Sequence, residues 1–394
     1  MFIKVKKLFL ILYLFLFLVS NVFCFIEKEF KTESFLLINK ETNSVVFKKN
    51  SDVKRSPASL TKIMTYIIVT ENVKNPNEQI VHVKESVLET LKDTNCSTSG
   101  LLPGEEISVS NLLERLMICS CSYSALVLAN EIGSGVDNFI DMMNKKAKDL
   151  KCENTKFKNP HGLYDSRHFT TCEDLYKITR HAMDDPNFTK IVQKKEVPIG
   201  QSFLPTTNKL MQPTSQYFYD CVNGIKTGYH DEAGYCIITS AENSGLNYVC
   251  IAMGAPSLDE NGEKIQENYA MLESRDLLRW AFKNLKIHQF YTPESILGVV
   301  NAKIFSKKSK KLPIGVQESI KAAIPNELKS SEIETKLEIS ENLTSPINYN
   351  EVIGHAYLKY KEQKLVEFPI VAKKNIKRNF WNSYSYLFQM TFKI

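Results

Sequence analysis

The alternation of apolar and polar residues divides most of the chain into short strands and amphipathic helices. Phe35–Ile38 and Ser44–Lys48 predict a two-stranded hairpin. The apolar run that follows Pro57 predicts a buried helix beginning near Ser59, because proline suits the first helical turn. A helix that Ser110 can cap is predicted around Leu112–Met117. Other helices are predicted at about Tyr123–Ile132, Val136–Leu150, Thr171–Met183 and Ala270–Leu285, and antiparallel strands at Val222–Thr227, Tyr235–Ala241 and Asn247–Met253.

The pattern changes at about Tyr291, where short β-rich segments replace the helices. These segments predict a separate small, β-sandwich-like domain over residues 291–372, preceded by a larger domain over residues 25–290. The predicted strands lie around Gly298–Phe305, Leu312–Val316, Lys321–Ala323, Ile333–Leu337, Val352–Tyr360 and Lys364–Pro369.

Residues 1–24 have the pattern of a secretory signal. Three lysines precede the uninterrupted apolar run Leu8–Val19, and a possible cleavage point follows at Cys24. Two alternatives stay open, a lipid anchor at Cys24 and an uncleaved membrane anchor. All three interpretations predict an exported protein.

Residues 373–394 combine a basic beginning with an aromatic stripe. On a helix, Ile376, Phe380, Tyr384 and Leu387 would lie on one face, as in an amphipathic helix that lies on a membrane surface. The alternative is a terminal helix packed on its own domain. We expect membrane association, and hence a location on the outer face of the cytoplasmic membrane or in the cell wall space.

Composition narrows the function classes. The net charge of the 394-residue chain is only +6, and the basic residues are scattered before the C-terminal end, so no nucleic-acid partner is predicted. The cysteines follow no disulfide or zinc spacing, and we expect them to be small buried apolar residues. The seven histidines are isolated. We therefore expect no metal and no cofactor.

The pair Ser59 and Lys62 is a candidate for nucleophilic catalysis. On a helix their side chains leave from the same face, and a partly desolvated lysine with a lowered pKa can remove the serine proton. Ser-x-x-Lys is common by chance, and a second match, Ser51 to Lys54, is interpreted as a loop. Alone, the Ser59 match is better explained by a capped helix start with a solvated lysine.

Two later segments could complete such a site. Ser120-Cys121-Ser122 follows an apolar helix, and a hydroxyl there could relay a proton. Lys226-Thr227-Gly228 lies on a predicted strand, where lysine and threonine could hold a carboxylate and glycine would let a substrate approach. Alone, Ser120 and Ser122 are better explained as residues that end the helix. The alternative for Lys226 is a solvated lysine on a strand edge.

Together and in this order, the three segments resemble the motifs of penicillin-recognising serine enzymes. The flanking residues are similar to those of low-molecular-mass penicillin-binding proteins, the serine-type D-Ala-D-Ala carboxypeptidases. The similar segments are Pro57–Thr65, Asn159–Leu163, Asp231–Cys236 and Met253–Ser257.

The resemblance implies an α+β fold in which an antiparallel sheet is flanked by helices with the site between them. It also implies roles: Ser59 as nucleophile, Lys62 as base and Ser120 as proton relay. Substrate binding would fall to Ser122, Lys226, Thr227, Gly228 and Tyr229, with the N–H groups of Ser59 and Tyr229 as the oxyanion hole. The implied partners are peptidoglycan stem peptides and β-lactam antibiotics, and the implied reaction removes a terminal D-Ala.

The second motif departs from the family pattern. The family has Asn where this chain has Ser122, and commonly Gly where it has Cys121; His230 replaces a common Thr. One lost hydrogen bond costs about 0.5–1.5 kcal/mol, so a weakened or retuned site is expected. The alternative function is a penicillin- or peptidoglycan-binding protein with little turnover.

Overall fold

The computed structural model describes residues 29–94, 96–305, 308–340 and 343–377. The chain forms two compact units. The first contains Phe30–Glu41 and Val46–Asn284; the second contains Thr42–Val45 and the described residues from Leu285 onward. The predicted signal at 1–24 and residues 378–394 of the predicted tail helix lie outside the described residues. The described start of that tail, residues 373–377, is not helical, and Ile376 is buried in the core of the second unit instead of lying on an exposed stripe.

A five-stranded sheet forms the centre of the first unit. Its strands are β1 (Ser34–Asn39), β2 (Val45–Lys49), β7 (Val222–His230), β8 (Gly234–Asn243) and β9 (Leu246–Ala255). They lie in the order β2-β1-β9-β8-β7, and the β1–β9, β9–β8 and β8–β7 pairings are antiparallel. Six consecutive residues of β9, Tyr248–Met253, are buried, because helices pack against this strand. The third motif lies on β7, at one edge of the sheet.

Eight α-helices occur in the described part of the chain. The helices are α1 (Lys62–Asn72), α2 (Glu85–Glu89), α3 (Val109–Ile118), α4 (Ser122–Ile132), α5 (Val136–Asp149), α6 (Cys172–Met183), α7 (Pro186–Val192) and α8 (Tyr269–Asn284). Helix α1 is the most central, since every residue from Lys62 to Val69 is buried and helices α3, α4, α5 and α6 pack around it. Two small ribbons complete this unit: β3 (Ile80–His82) with β4 (Glu106–Ser108), and β5 (Glu196–Ile199) with β6 (Ser202–Pro205).

The second unit is built from strands around one apolar core. The strands are β10 (Leu285–Tyr291), β11 (Ile296–Phe305), β12 (Lys308–Gly315), β13 (Ile320–Pro325), β14 (Glu334–Ile339), β15 (Val352–Tyr360) and β16 (Gln363–Ala372). Five of them form a sheet with the order β11-β12-β16-β15-β14, and a ribbon pairs β10 with β13. Side chains from the sheet and from the ribbon, such as Leu312, Ile324 and Ile370, are buried in a common cluster.

The predicted α+β class is confirmed, and two local features differ. Ser108, not Ser110, caps α3, because its side chain accepts a hydrogen bond from the backbone N–H of Asn111. The start of the nucleophile helix is a 3-10 turn, Ala58–Thr61, and the α-helix begins only at Lys62. Within the described ranges, no helix is long and apolar enough to cross a membrane.

Candidate active site

The candidate nucleophile lies in a strained turn. Ala58, directly before it, has a φ of 48°, a left-handed conformation that is uncommon for a residue with a side chain. The hydroxyl of Thr61 stabilises the turn by donating to the carbonyl oxygen of Ala58 at 2.8 Å. Ser59 itself is half-buried, so this fixed turn carries a residue that is partly open to solvent.

Two glycines press against this turn from different segments. A Cβ atom on Gly162 would lie 1.9 Å from the carbonyl oxygen of Ala58. A Cβ atom on Gly228 of β7 would lie 3.1 Å from the backbone nitrogen of Ser59. Only glycine allows the approach at residue 162, and a side chain at residue 228 would crowd the turn, so the third motif lies directly against the turn that carries Ser59.

The amine of Lys62 is buried beside the serine hydroxyl. Its Nζ lies 2.8 Å from Ser59 Oγ, 3.3 Å from Ser122 Oγ and 2.6 Å from the carbonyl oxygen of His161. The side chain is fully buried, and this desolvation lowers the pKa of Lys62 from 10.5 to about 7. A large fraction of the amine is therefore neutral at physiological pH and able to accept the Ser59 proton.

The turn Asn159–Leu163 presents the His161 carbonyl to this amine. The side chain of Asn159 accepts a hydrogen bond from the Gly162 N–H at 2.6 Å and donates to the Leu163 carbonyl at 2.9 Å. The Pro160 carbonyl accepts from the hydroxyl of Thr65 on α1 at 2.6 Å. These contacts fix the turn to the same helix that carries Lys62.

The two serines of the second motif differ in their positions. Ser122 is buried at the first position of α4, and its hydroxyl contacts Lys62. Ser120 is half-buried with a φ of 60°, and in the described structure Lys62 Nζ has no hydrogen bond to it. Between them, the Cys121 sulfur caps α4 by accepting from the Ser124 N–H at 3.3 Å.

The third motif places a second buried lysine near the first. Lys226 is 1% exposed, and its Nζ donates to the Thr227 carbonyl at 2.9 Å. Burial lowers the pKa of Lys226 well below its usual value, and the nearby charge of Lys62 lowers it further. The Thr227 hydroxyl donates to the hydroxyl of Thr207 at 2.6 Å. Tyr229 is 41% exposed, and its hydroxyl donates to the carboxylate of Asp231.

Comparisons with known proteins agree with this geometry. Residues 22–257 match the family model described as D-alanyl-D-alanine carboxypeptidase. This chain belongs to that family. Residues 289–378 match the model described as penicillin-binding protein 5, C-terminal domain. The enzyme is thus a serine-type D-Ala-D-Ala carboxypeptidase, and the low-turnover binding protein is not favoured.

Individual relatives support the same assignment. The carboxypeptidase is 27% identical over 357 residues to D-alanyl-D-alanine carboxypeptidase DacF of Bacillus subtilis, covering 89% of this chain and 87% of the relative. Its fold is similar to penicillin binding protein 5 of Haemophilus influenzae, with a TM-score of 0.71 and 24% identity over 89% of this chain and 99% of the other. It also resembles the Streptomyces K15 DD-transpeptidase, with a TM-score of 0.58 and 25% identity over 66% of this chain and 99% of the other.

Two clefts of the carboxypeptidase are lined by residues other than these site residues. A polar cleft of about 440 Å³ is lined by Arg55, Ser56 and the end of the β7–β8 hairpin at Asp231 and Glu232. A wider cleft of about 630 Å³ lies on the part of α1 that includes Glu71, away from the predicted site residues. In the described residues, no group of three or more His, Cys, Asp or Glu side chains could hold a metal ion.

Two features of the enzyme's site were not predicted from sequence. The contact between Lys62 and His161 uses the backbone carbonyl of His161, which every residue type has, so the sequence does not reveal it. The tight approach of Gly162 to Ala58 also depends on the fold. The only available signal was the segment Asn159–Leu163, whose resemblance to the family marks the loop without assigning it a role.

Proposed function

We propose that this carboxypeptidase removes the terminal D-Ala from peptidoglycan stem peptides through an acyl-enzyme on Ser59. The observation that carries the proposal is the 2.8 Å contact between the Ser59 hydroxyl and the buried Lys62 amine, whose pKa is about 7. A base whose pKa lies near the working pH is the most effective in general-base catalysis.

Acylation and hydrolysis form two steps. Ser59 Oγ bonds to the carbonyl carbon of the penultimate D-Ala while its proton moves to Lys62 Nζ. The C–N bond to the terminal D-Ala then breaks, and the proton held by Lys62 passes through the Ser120 hydroxyl to the departing nitrogen. The oxygen of a water molecule then bonds to the ester carbonyl carbon, and a proton from that water restores the Ser59 hydroxyl as the Ser59–carbon bond breaks. The terminal D-Ala and the shortened peptide are the products.

Substrate recognition is assigned to the third motif. The terminal carboxylate lies against Lys226 and Thr227, with Gly228 leaving room for the peptide backbone. A carboxylate beside the buried amine of Lys226 favours its charged form, so substrate binding raises the pKa of this lysine. The N–H groups of Ser59 and Tyr229 stabilise the oxyanion.

β-Lactam antibiotics acylate the same hydroxyl. Opening of the lactam ring joins its carbonyl carbon to Ser59 Oγ, and the ring nitrogen takes the proton. Because the leaving nitrogen stays attached, a stable adduct is expected. Labelled penicillin therefore reports acylation separately from peptide turnover.

The enzyme is proposed to work outside the cytoplasm, on the outer face of the cytoplasmic membrane. The support is the signal-like sequence at 1–24 and the basic, aromatic sequence at 373–394. Deletion of residues 375–394 is expected to release the protein from membranes without changing its acylation. Continued membrane binding of the truncated, signal-cleaved protein would contradict the role of the tail.

The reaction is tested with purified enzyme and a peptide ending in D-Ala-D-Ala. D-Ala release is measured beside a Ser59→Ala variant, and the labelled-penicillin adduct is mapped by mass spectrometry. We expect release and an adduct on Ser59 in the wild type only. Equal release from both proteins, or an adduct on another residue, would reject the mechanism.

A further inference from the structure

The segment that leads into the nucleophile turn is anchored through its backbone at Arg55. Arg55 exchanges two backbone hydrogen bonds with Thr170, at 2.8 and 2.9 Å. Pro57, two residues later, has no N–H group to donate. The side chain of Ser56, which lies between Arg55 and Pro57, is therefore a polar group that can hold the last part of this segment.

The hydroxyl of Ser56 contacts the imidazole ring of His230, at the end of β7. Ser56 Oγ lies 2.9 Å from His230 Nε2. The ring is confined, because the His230 side chain is only 12% exposed and the ring of Tyr164 packs edge-on against it, with the ring centroids 5.7 Å apart. This contact joins the segment before the nucleophile to the strand that carries the third motif.

The turn between β7 and β8 indicates which nitrogen of His230 carries the proton. The Ala233 N–H donates both to the His230 carbonyl oxygen and to His230 Nδ1, each at 3.1 Å. A ring nitrogen that accepts a hydrogen bond has no proton, so the proton of the neutral ring is on Nε2. Nε2–H then donates to Ser56 Oγ. Burial lowers the pKa of His230 below its usual value, which favours this neutral ring.

Glu232 makes this group similar to a catalytic triad, because its Oε2 lies 3.0 Å from His230 Nδ1. A triad activates its serine only when the carboxylate holds Nδ1–H and the lone pair of Nε2 faces the serine hydroxyl. A backbone N–H already faces Nδ1 in this protein, and the Glu232 side chain is 51% exposed and can turn toward solvent. Ser56 is therefore held by His230 and not activated by it.

A second imidazole holds the other end of the same turn. The Thr61 hydroxyl, which donates to the Ala58 carbonyl, also lies 2.9 Å from Nε2 of the buried His168. Because the proton of Thr61 is used by Ala58, the Thr61 oxygen accepts from His168 Nε2–H. His168 Nδ1 accepts from the Lys158 N–H at 3.3 Å, which agrees with this tautomer. An imidazole N–H thus acts through a hydroxyl at the exit of the turn as well as at its entry.

We propose that His230 is a positioning residue for acylation: its Nε2–H holds the Ser56 hydroxyl and so fixes the entry of the strained turn that carries Ser59. The inference rests on the proposed role of Ser59 as the nucleophile. A residue in a sparsely populated backbone conformation, such as Ala58, persists only when its surroundings fix it. Loss of the entry contact lets the turn relax and moves the Ser59 hydroxyl away from the Lys62 amine.

The imidazole also gives a reason for the departure from the family pattern at residue 230. The hydroxyl of the common threonine is bonded directly to Cβ, whereas Nε2 of histidine lies on the far side of the ring. With the same backbone, a threonine at this position cannot reach the Ser56 hydroxyl. His230→Thr is therefore expected to lose the contact and to acylate as slowly as a variant with alanine.

The test is the second-order rate of labelled-penicillin acylation in full-length protein, measured beside thermal unfolding. His230→Ala and Ser56→Ala each remove the contact, and each is expected to slow acylation roughly two- to tenfold. Because both remove the same hydrogen bond, the double variant should be no slower than the slower single variant. His230→Gln supplies an amide N–H with a similar reach and is expected to restore most of the rate.

His181→Ala is the matched control. The His181 ring also contacts one side chain, with Nε2 lying 2.8 Å from Glu71 Oε1, and it lines the wider cleft away from the site residues. Its removal should leave the acylation rate unchanged. If His230→Ala does not fold, Ser56→Ala removes the same contact by deleting one hydroxyl, and its rate is compared with that of His230→Gln.

Each outcome decides a separate point. A wild type that forms no adduct on Ser59 overturns the proposed function, and the role of His230 with it. When the wild type acylates normally, three results overturn the positioning role alone. They are rate losses that multiply in the double variant, a glutamine variant as slow as the alanine variant, and a threonine variant as fast as the wild type.

Discussion

Replacement of Gly228 by alanine tests whether the close contact between β7 and the nucleophile turn is needed for acylation. The added Cβ atom would lie 3.1 Å from Ala58 Cβ, from the Pro57 carbonyl oxygen and from the Ser59 nitrogen. Contacts this short require the neighbouring atoms to move by a few tenths of an ångström. All three neighbours belong to the turn that holds the nucleophile, so the displacement falls on Ser59.

The expected loss of acylation rate in Gly228→Ala follows from the free-energy cost of overpacking. An extra methyl group in a well-packed site costs about 1–3 kcal/mol. If this free energy is added to the activation barrier of acylation, the acylation rate falls roughly five- to hundredfold. The folded protein loses at most the same free energy, a modest fall in melting temperature for a chain of this size.

The assay is the second-order rate of labelled-penicillin acylation, measured beside thermal unfolding. Gly298→Ala is the control, because it changes another strand glycine whose nearest neighbour, the Ile314 side chain, lies at 3.9 Å. The control should acylate at the wild-type rate. A Gly228→Ala variant that also acylates at that rate would refute the link between this contact and the nucleophile geometry.

Three further predictions concern the base, its turn and a helix cap. Because acylation needs neutral Lys62 and its pKa is about 7, the acylation rate should rise roughly tenfold between about pH 6 and pH 8 and then level off; a flat profile would exclude this lysine as the base. Asn159→Ala removes two hydrogen bonds of the turn that presents the His161 carbonyl, and should slow acylation roughly tenfold while far-UV circular dichroism stays unchanged. Thr171→Ala removes the cap that accepts from the Asp174 N–H, and should lower the free energy of unfolding by about 1 kcal/mol in denaturant titrations without affecting the acylation rate.

Much of the fold could be predicted because the apolar periodicity is strong in the longer elements. The predicted helix Val136–Leu150 agrees within one residue with α5, and the three predicted strands all lie in the central sheet. The short helices Glu85–Glu89 and Pro186–Val192 were missed, since one or two turns carry too little periodicity to be recognised.

The site was predictable in its side chains and less so in its backbone. The motifs placed Ser59 and Lys62 together because three residues separate neighbours on a helical turn. They did not predict that Lys62 contacts Ser122 rather than Ser120. That choice depends on the left-handed φ of Ser120 and on the Cys121 cap, both of which are tertiary features.

Because α1 is buried, the proposed base Lys62 cannot move independently of the protein core. Every residue from Lys62 to Val69 is buried, so water can reach the Lys62 amine only if several helices separate. Substitutions in this helix that weaken antibiotic acylation are therefore expected to lower thermal stability as well. Resistance that leaves the protein abundant should arise instead from the half-buried walls of the cleft, where side chains can change without opening the interior.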